Sequence, residues 1–240
     1  IGSRPIRSDS ETADNLLYVH NPVCLGIAGT GATPFLSVST RVVCTEDHFA
    51  TYVSTNPTLS YIQAKDLDFT SYPSFTGPIV NSAFSGTYDG QGHTIKNFTV
   101  SDPTVSRIGL FKEINGTVKD LKIYNGKLET TGTNIYPEVG VFTGHIGVGA
   151  TVEKIVVSNS TIDIDGTTAA VGVGFIAGKL TGSGTNTYAR DVHVINSTMN
   201  VIGHKKIGGA IGHVTGAQAN IHGVLVENLT MQVDSTSAGE

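Results

Sequence analysis

Apolar and polar residues alternate along the second half of the chain in a pattern that repeats. Four segments align without gaps: TVKDLKIYNGKLETTG (Thr117 to Gly132), TVEKIVVSNSTIDIDG (Thr151 to Gly166), YARDVHVINSTMNVIG (Tyr188 to Gly203) and NIHGVLVENLTMQVDS (Asn220 to Ser235). The second column reads Val118, Val152, Ala189 and Ile221; the fifth reads Leu121, Ile155, Val192 and Val224; the seventh reads Ile123, Val157, Val194 and Val226. A shorter copy, TIKNFTV (Thr94 to Val100), aligns Ile95, Phe98 and Val100 with those three columns. Alternation of this kind marks strands with one buried face, so Ile155, Val157, Ile162 and Ile164 point inward and Ser, Lys, Asp and Thr point out.

A glycine-rich block precedes each segment: IGLFKEI from Ile108, VGVFTGHI from Val139, VGFIAGKL from Val173 and IGGAIGHV from Ile207. Successive starts, 108 to 139, 139 to 173 and 173 to 207, differ by 31, 34 and 34 residues. A period near thirty with strand-type alternation makes each repeat one coil of a solenoid. The pattern predicts an all-β fold, a right-handed single-stranded parallel β-helix of about five coils, roughly 25 Å long at about 4.8 Å per coil. Ahead of the coils, Thr45 reads as a helix N-cap, with Glu46 and Asp47 placed against the helix dipole. Phe49, Tyr52 and Val53 make an apolar stripe and Asn56-Pro57 ends the element, which predicts a short helix capping the rod. The expected organisation is a flexible segment or linker over 1–16, an N-terminal cap over 17–57, the β-helix over 58–235 and a tail over 236–240.

Composition narrows the function. Only 15% of residues are charged, the formal net charge is −5, and no basic run exceeds Lys205-Lys206, which argues against nucleic acid as a partner. The most apolar stretch, Ala169 to Ala177, is too short to cross a bilayer, so no membrane insertion is expected. The chain opens on Ile1 rather than Met and reads as a processed or excised piece whose export signal lies elsewhere. Cys24 and Cys44 flank a loop with Gly29, Gly31 and Pro34. In an exported chain a disulfide between them would be worth about 3 kcal/mol; the other reading is two buried thiols.

One polar column stands out: Asn125, Asn159, Asn196 and Asn228 each follow the seventh-column residue by two positions. Asn tolerates left-handed backbone at a coil corner, and stacked amides can bond from coil to coil, so a structural asparagine ladder explains the column. Asn159, Asn196 and Asn228 also begin N-x-[ST] sequons, which leaves glycosylation as the second reading.

These blocks resemble the GLUG-motif family of bacterial surface proteins. FSGTYDGQGHTIKNFTV (Phe84 to Val100) is similar to that family's opening signature, with a turn around Asp89-Gly90-Gln91-Gly92, and IGLFKEINGTVKDLKI (Ile108 to Ile123) to the unit that follows it. RVVCTEDHFATYV (Arg41 to Val53) resembles the capping helix that precedes such repeats, and YIQAKDLDF (Tyr61 to Phe69) the strand leading into the first coil. The resemblance spans about residues 35 to 235. It implies a module of an adhesin or secreted repeat protein, displayed on or released from a bacterial cell. Some members belong to immunoglobulin A proteases, but the H-E-x-x-H of their metalloprotease domain is absent from this sequence. The resemblance carries over no catalytic residues.

Parallel β-helices also house polysaccharide-cleaving enzymes, which need clustered carboxylates. The acids here are scattered over Asp66, Asp68, Asp89, Asp120, Asp163, Asp165 and Asp191, and the expectation is a non-enzyme without a cofactor. His145 and His213 share a column with Lys179 between them, and Glu113 joins it after a one-residue gap. Two coils put the histidines near 10 Å apart, too far to share one ion, so this Glu-His-Lys-His column reads as a solvated ladder along an exposed edge. Thr161, Thr198 and Thr230 stack, but Lys127 interrupts the regular threonine array that ice binding would need.

Binding of a cell-surface glycan or protein is the leading expectation, because solenoids recognise ligands through an exposed wall or protruding loops. The repeats vary most around Thr133 to Glu138, Thr181 to Tyr188 and His204 to Lys206, so Tyr136, Tyr188, His204 and Lys205 are the candidate ligand residues; the plainer reading is connecting loops. A homo-oligomer, trimeric if mounted on a fibre, would suit an adhesin tip. A passive stalk is the alternative.

Overall fold

The computed structural model describes residues 40–101, 106–131, 138–165, 172–202 and 206–234. Within them the chain winds as a parallel β-solenoid of about five turns with almost no helix. Each turn lays strands on the same walls, and every named pair is parallel. A broad wall stacks Thr40–Val43, Ser60–Gln63, Thr87–Asp89, Thr117–Tyr124, Thr151–Ser158, Thr187–Ile195 and Ala219–Glu227. A second wall stacks Thr99–Ser101, Lys127–Thr131, Thr161–Asp165, Thr198–Ile202 and Thr230–Asp234. A glycine-rich wall stacks Val80–Phe84, Phe111–Ile114, Thr143–Ile146, Ala177–Thr181 and Ile211–Thr215. A short return strand enters it in each turn: Arg107–Ile108, Glu138–Val139, Gly172–Val173, then Ile207 bridged to Val173.

Register follows the sequence columns. Val118 pairs Val152, which pairs Ala189, which pairs Ile221; Ile123, Val157, Val194 and Val226 pair in the same way. Columns two and five are three residues apart, an interval that plain alternation cannot turn to the same side. Asp120, Lys154, Asp191 and Gly223 sit between them with φ of 51, 54, 51 and 61°. One left-handed residue resets the phase, and Val118 and Leu121 are both fully buried.

The shorter copy does not occupy the columns that the sequence suggested. Tyr88, not Ile95, pairs Val118; Ile95 pairs Ile123, and Val100 pairs Leu128. The cause is the turn at Gly90 to His93, where Gln91 and Gly92 have φ of 52 and 74° and the Asp89 carboxylate accepts from the Gln91 N–H. That turn makes the path from Tyr88 to Ile95 two residues longer than from Val118 to Ile123, so a gap-free alignment slips.

The core runs from aromatic to aliphatic along the rod. Most of the ring-to-ring contacts lie in the first turns, whereas the column just ahead of the glycine-rich strands, Leu110, Phe142, Ile176 and Ala210, ends on a methyl group. Around Phe111, the rings of Phe49, Phe84, Tyr88 and Phe142 lie 5.6 to 6.0 Å away, centroid to centroid. Phe49 and Val53 belong to a short helical segment, His48–Val53, and are fully buried against this cluster. The Thr45 hydroxyl accepts from the His48 N–H at 3.1 Å, the N-cap bond expected of it. Cys44 is buried at the end of the first strand, while Cys24 lies outside the described residues.

Candidate functional site

Three outer features arise from this winding. The first is the outward side of the broad wall. Asp89, Lys119, Glu153, Arg190 and His222 form one column of mostly alternating charge. Lys119 meets Asp89 at 3.1 Å and Arg190 meets Glu153 at 2.9 Å. Tyr188 stands beside this column, half-buried, with the Arg190 guanidinium 4.8 Å from its ring centre. One face of that candidate ligand residue is therefore occupied by its own neighbour. Tyr136, His204 and Lys205 lie outside the described residues. Further along the same wall the outward positions turn apolar. Val156 pairs His193, which pairs Leu225; Tyr124 pairs Ser158, which pairs Ile195. Tyr124 is 45% exposed and Leu225 38%, with half-buried Val156 and Ile195 between them. Sequence reasoning missed this strip because each repeat contributes a single apolar residue to it.

The second feature is the asparagine corner. Asn125, Asn159, Asn196 and Asn228 have φ of 49 to 53° and are exposed on the outer corner between the broad and second walls. Asn97, with φ of 60°, is a fifth rung, which the slipped alignment hid. Asn125 donates to Asn97 at 2.8 Å, Asn97 donates to Asp68 at 2.9 Å, and Asn228 donates to Asn196 at 2.9 Å. Asn159, the middle rung, has no side-chain hydrogen bond among the described residues. The Thr70 hydroxyl first, then Asn97, hold the Asp68 carboxyl well below the usual carboxylate range. Beneath the corner, Ser160 and Ser197 are buried, and their hydroxyls accept from the N–H groups of Gly126 and Ser160.

The third feature is a polar cleft where the return strand folds against the glycine-rich wall. The predicted column holds its register: Glu113 pairs His145, which pairs Lys179, which pairs His213. It is not an exposed edge, however, since His145 is 7% exposed and Glu138, facing it from the return strand, 6%. Gly144, Gly178 and Gly212 make this possible. A Cβ on Gly178 would lie 2.2 Å from the Val139 nitrogen and one on Gly212 would lie 2.2 Å from the Val173 nitrogen, so only glycine lets the return strand close over the column.

Inside the cleft the charges interlock. Arg107 pairs with Glu113 and, at 2.6 Å, with Glu138, while Lys179 reaches Glu138 at 3.5 Å. His145 Nε2 lies 3.0 Å from the Thr181 hydroxyl, and its Nδ1 sits 3.7 Å from both Glu113 and Glu138 without a hydrogen bond. Lys206 meets His213 Nε2 at 3.0 Å. Burial depresses the His145 pKa; Glu138 and Glu113 oppose this, and Arg107 and Lys179 add to it. His213 is also depressed, by desolvation first and then by Lys206 and Lys179. No group of three or more potential metal ligands with suitable geometry occurs among the described residues.

The two histidines fix the sign of a pH effect. With folded pKa values below the ordinary value of about 6.5, the unfolded chain binds more protons, so stability is complete above that pH and falls as pH drops through it. Thermal melts from about pH 7.5 to about pH 5 should show a falling Tm, and the His145→Gln/His213→Gln variant should flatten that slope. An unchanged slope would remove these side chains as its source.

Fold and outer features together define a parallel β-solenoid whose regular core carries charged, apolar and amide-lined outer surfaces. No known protein-family profile matches the chain, and no solved structure matches it. Halomucin of Haloquadratum walsbyi (strain DSM 16790 / HBSQ001) is similar to it, 32% identical over 112 residues that make up 45% of this chain. The match covers 1% of that protein's length. No helix among the described residues is long and apolar enough to cross a membrane.

Proposed function

We propose that this chain is a non-enzymatic recognition module of an exported surface protein of the GLUG-like kind that its motifs resemble. Its binding face is the outer side of the broad wall, and its ligand is a glycan or protein of a cell envelope or host surface. The observation that carries this reading is the apolar strip of Tyr124, Val156, Ile195 and Leu225 on an otherwise polar sheet. A stalk that only holds two other parts apart needs a soluble outer face, whereas apolar positions recurring in four successive coils fit a surface that meets a partner. In this reading the solenoid is right-handed, the His48–Val53 segment caps its first turn, and a Cys24–Cys44 disulfide anchors that cap. The burial of Phe49, Val53 and Cys44 supports the last two assignments.

The test is a glycan array and a panel of whole cells probed with multimerised protein, alongside a Tyr124→Ala/Leu225→Ser variant. Specific binding that the variant loses is the expected result. Binding that the variant keeps would shift the assignment to Tyr136, His204 and Lys205. A blank on both panels would sink recognition and leave the passive stalk.

A further inference from the structure

Five N-x-[ST] sequons occur in the chain, at Asn97, Asn115, Asn159, Asn196 and Asn228. The fold does not treat them alike. The Nδ2 of Asn97 is committed to Asp68 and that of Asn228 to Asn196. Asn196 uses only its Oδ1, as an acceptor, and the Nδ2 groups of Asn115, Asn159 and Asn196 donate to no acceptor among the described residues. All three of these residues are exposed: Asn115 precedes the broad wall, and Asn159 and Asn196 are adjacent rungs of the corner. The ladder accounts for asparagine at the corner, because the left-handed backbone favours it. Of the four rungs whose sequons are complete, it leaves idle the amide nitrogens of Asn159 and Asn196.

We infer that Asn115, Asn159 and Asn196 are acceptors for N-linked glycans, while the hydrogen bonds of Asn97 and Asn228 hold those two back. The donor class is an oligosaccharide on a polyprenyl pyrophosphate, presented by a transferase. The amide nitrogen bonds to the anomeric carbon as the bond from that carbon to the phosphate oxygen breaks. The pyrophosphate leaves with the electron pair, and the nitrogen gives one proton to a base of the transferase. Nothing is oxidised or reduced. A sugar at these positions projects from the corner or the edge and leaves the buried Ser160 and Ser197 bonds intact. The inference does not depend on the broad wall's being a binding face.

The test incubates the purified folded chain with an oligosaccharyltransferase and its polyprenyl-pyrophosphate-linked oligosaccharide, followed by intact mass and glycopeptide mapping. A urea-unfolded, diluted sample serves as the reagent control. Glycans should appear at Asn115, Asn159 and Asn196 of the folded chain, with at least fivefold lower occupancy at Asn97 and Asn228. Thr161→Val and Thr198→Val, which keep each asparagine in its corner, should each remove one glycan. Lys127→Thr completes a sequon at Asn125, whose Nδ2 donates to Asn97, and should add none. A folded chain that stays unmodified while the unfolded one is glycosylated would overturn the inference. Equal occupancy of all five sites on the folded chain would do the same.

Discussion

Phe111→Ala is expected to cost about 3–5 kcal/mol, the range for emptying an aromatic site in a packed core. Phe111 is fully buried, and four rings surround it: Phe49 and Phe142 at 5.7 Å, Phe84 at 5.6 Å and Tyr88 at 6.0 Å. All four contacts are edge-on or tilted, so the loss exceeds simple area burial. Four rings anchored on two strands, a helical segment and the bend before Thr143 cannot all collapse into one cavity. The effect should also be local. Each coil touches only its neighbours, so amides of Val80–Phe84 and Thr143–Ile146 should exchange faster while those near Val194 and Val201 change little. Denaturant melts and hydrogen exchange together check this. A cost under about 1 kcal/mol would mean that the ring cluster does not hold the first turns together.

Arg107→Leu should cost about 3 kcal/mol, because it strands two carboxylates inside the cleft. The Glu138 side chain is only 8% exposed and keeps Lys179 at 3.5 Å as its remaining cation, while Glu113 keeps only the approach of His145. Removing the guanidinium also removes one of the two cations that depress His145, so its pKa should rise. The variant should then lose part of the acid sensitivity of the parent, since a histidinium can take up the stranded charge. Adding Glu138→Leu removes one of the two stranded carboxylates and should recover part of the loss, since an apolar group costs less there than an unpaired buried charge. A double-mutant cycle over these positions measures the coupling, and strict additivity would refute the interlocked cleft.

The apolar columns were legible because each coil repeats them and the wall demands it: Val118, Val152, Ala189 and Ile221 recur at one position of the repeat, and they pair. Register failed only at Thr94 to Val100, where the Gly90 to His93 turn lengthens the path, an insertion that no single segment reveals. The Glu113, His145, Lys179 and His213 column was found, but the burial of His145 within it was not. Burial comes from the return strand lying over Gly144, Gly178 and Gly212, and although those glycines stand in plain view, the backbone that they admit is distant in sequence. Asn125, Asn159, Asn196 and Asn228 share the left-handed backbone of one corner, and Asn97 joins them. Which of its amides are bonded depends on side-chain torsions that composition does not encode. Of the candidate ligand residues, only Tyr188 falls among the described residues, and Arg190 shares its ring.

Because hydrogen bonds between coils run parallel to the axis of the rod, tension along that axis would peel turns away one at a time instead of shearing a sheet. The broad-wall repeats from Thr117 to Thr151, Thr151 to Tyr188 and Tyr188 to Asn220 span 34, 37 and 32 residues. Each released turn would pay out about 110–130 Å of chain at the extended reach of a polypeptide. A protein that must stay attached while its anchor and its target drift apart would thereby have a tether that lengthens in steps, dissipating load at every coil before the attachment itself is asked to bear it.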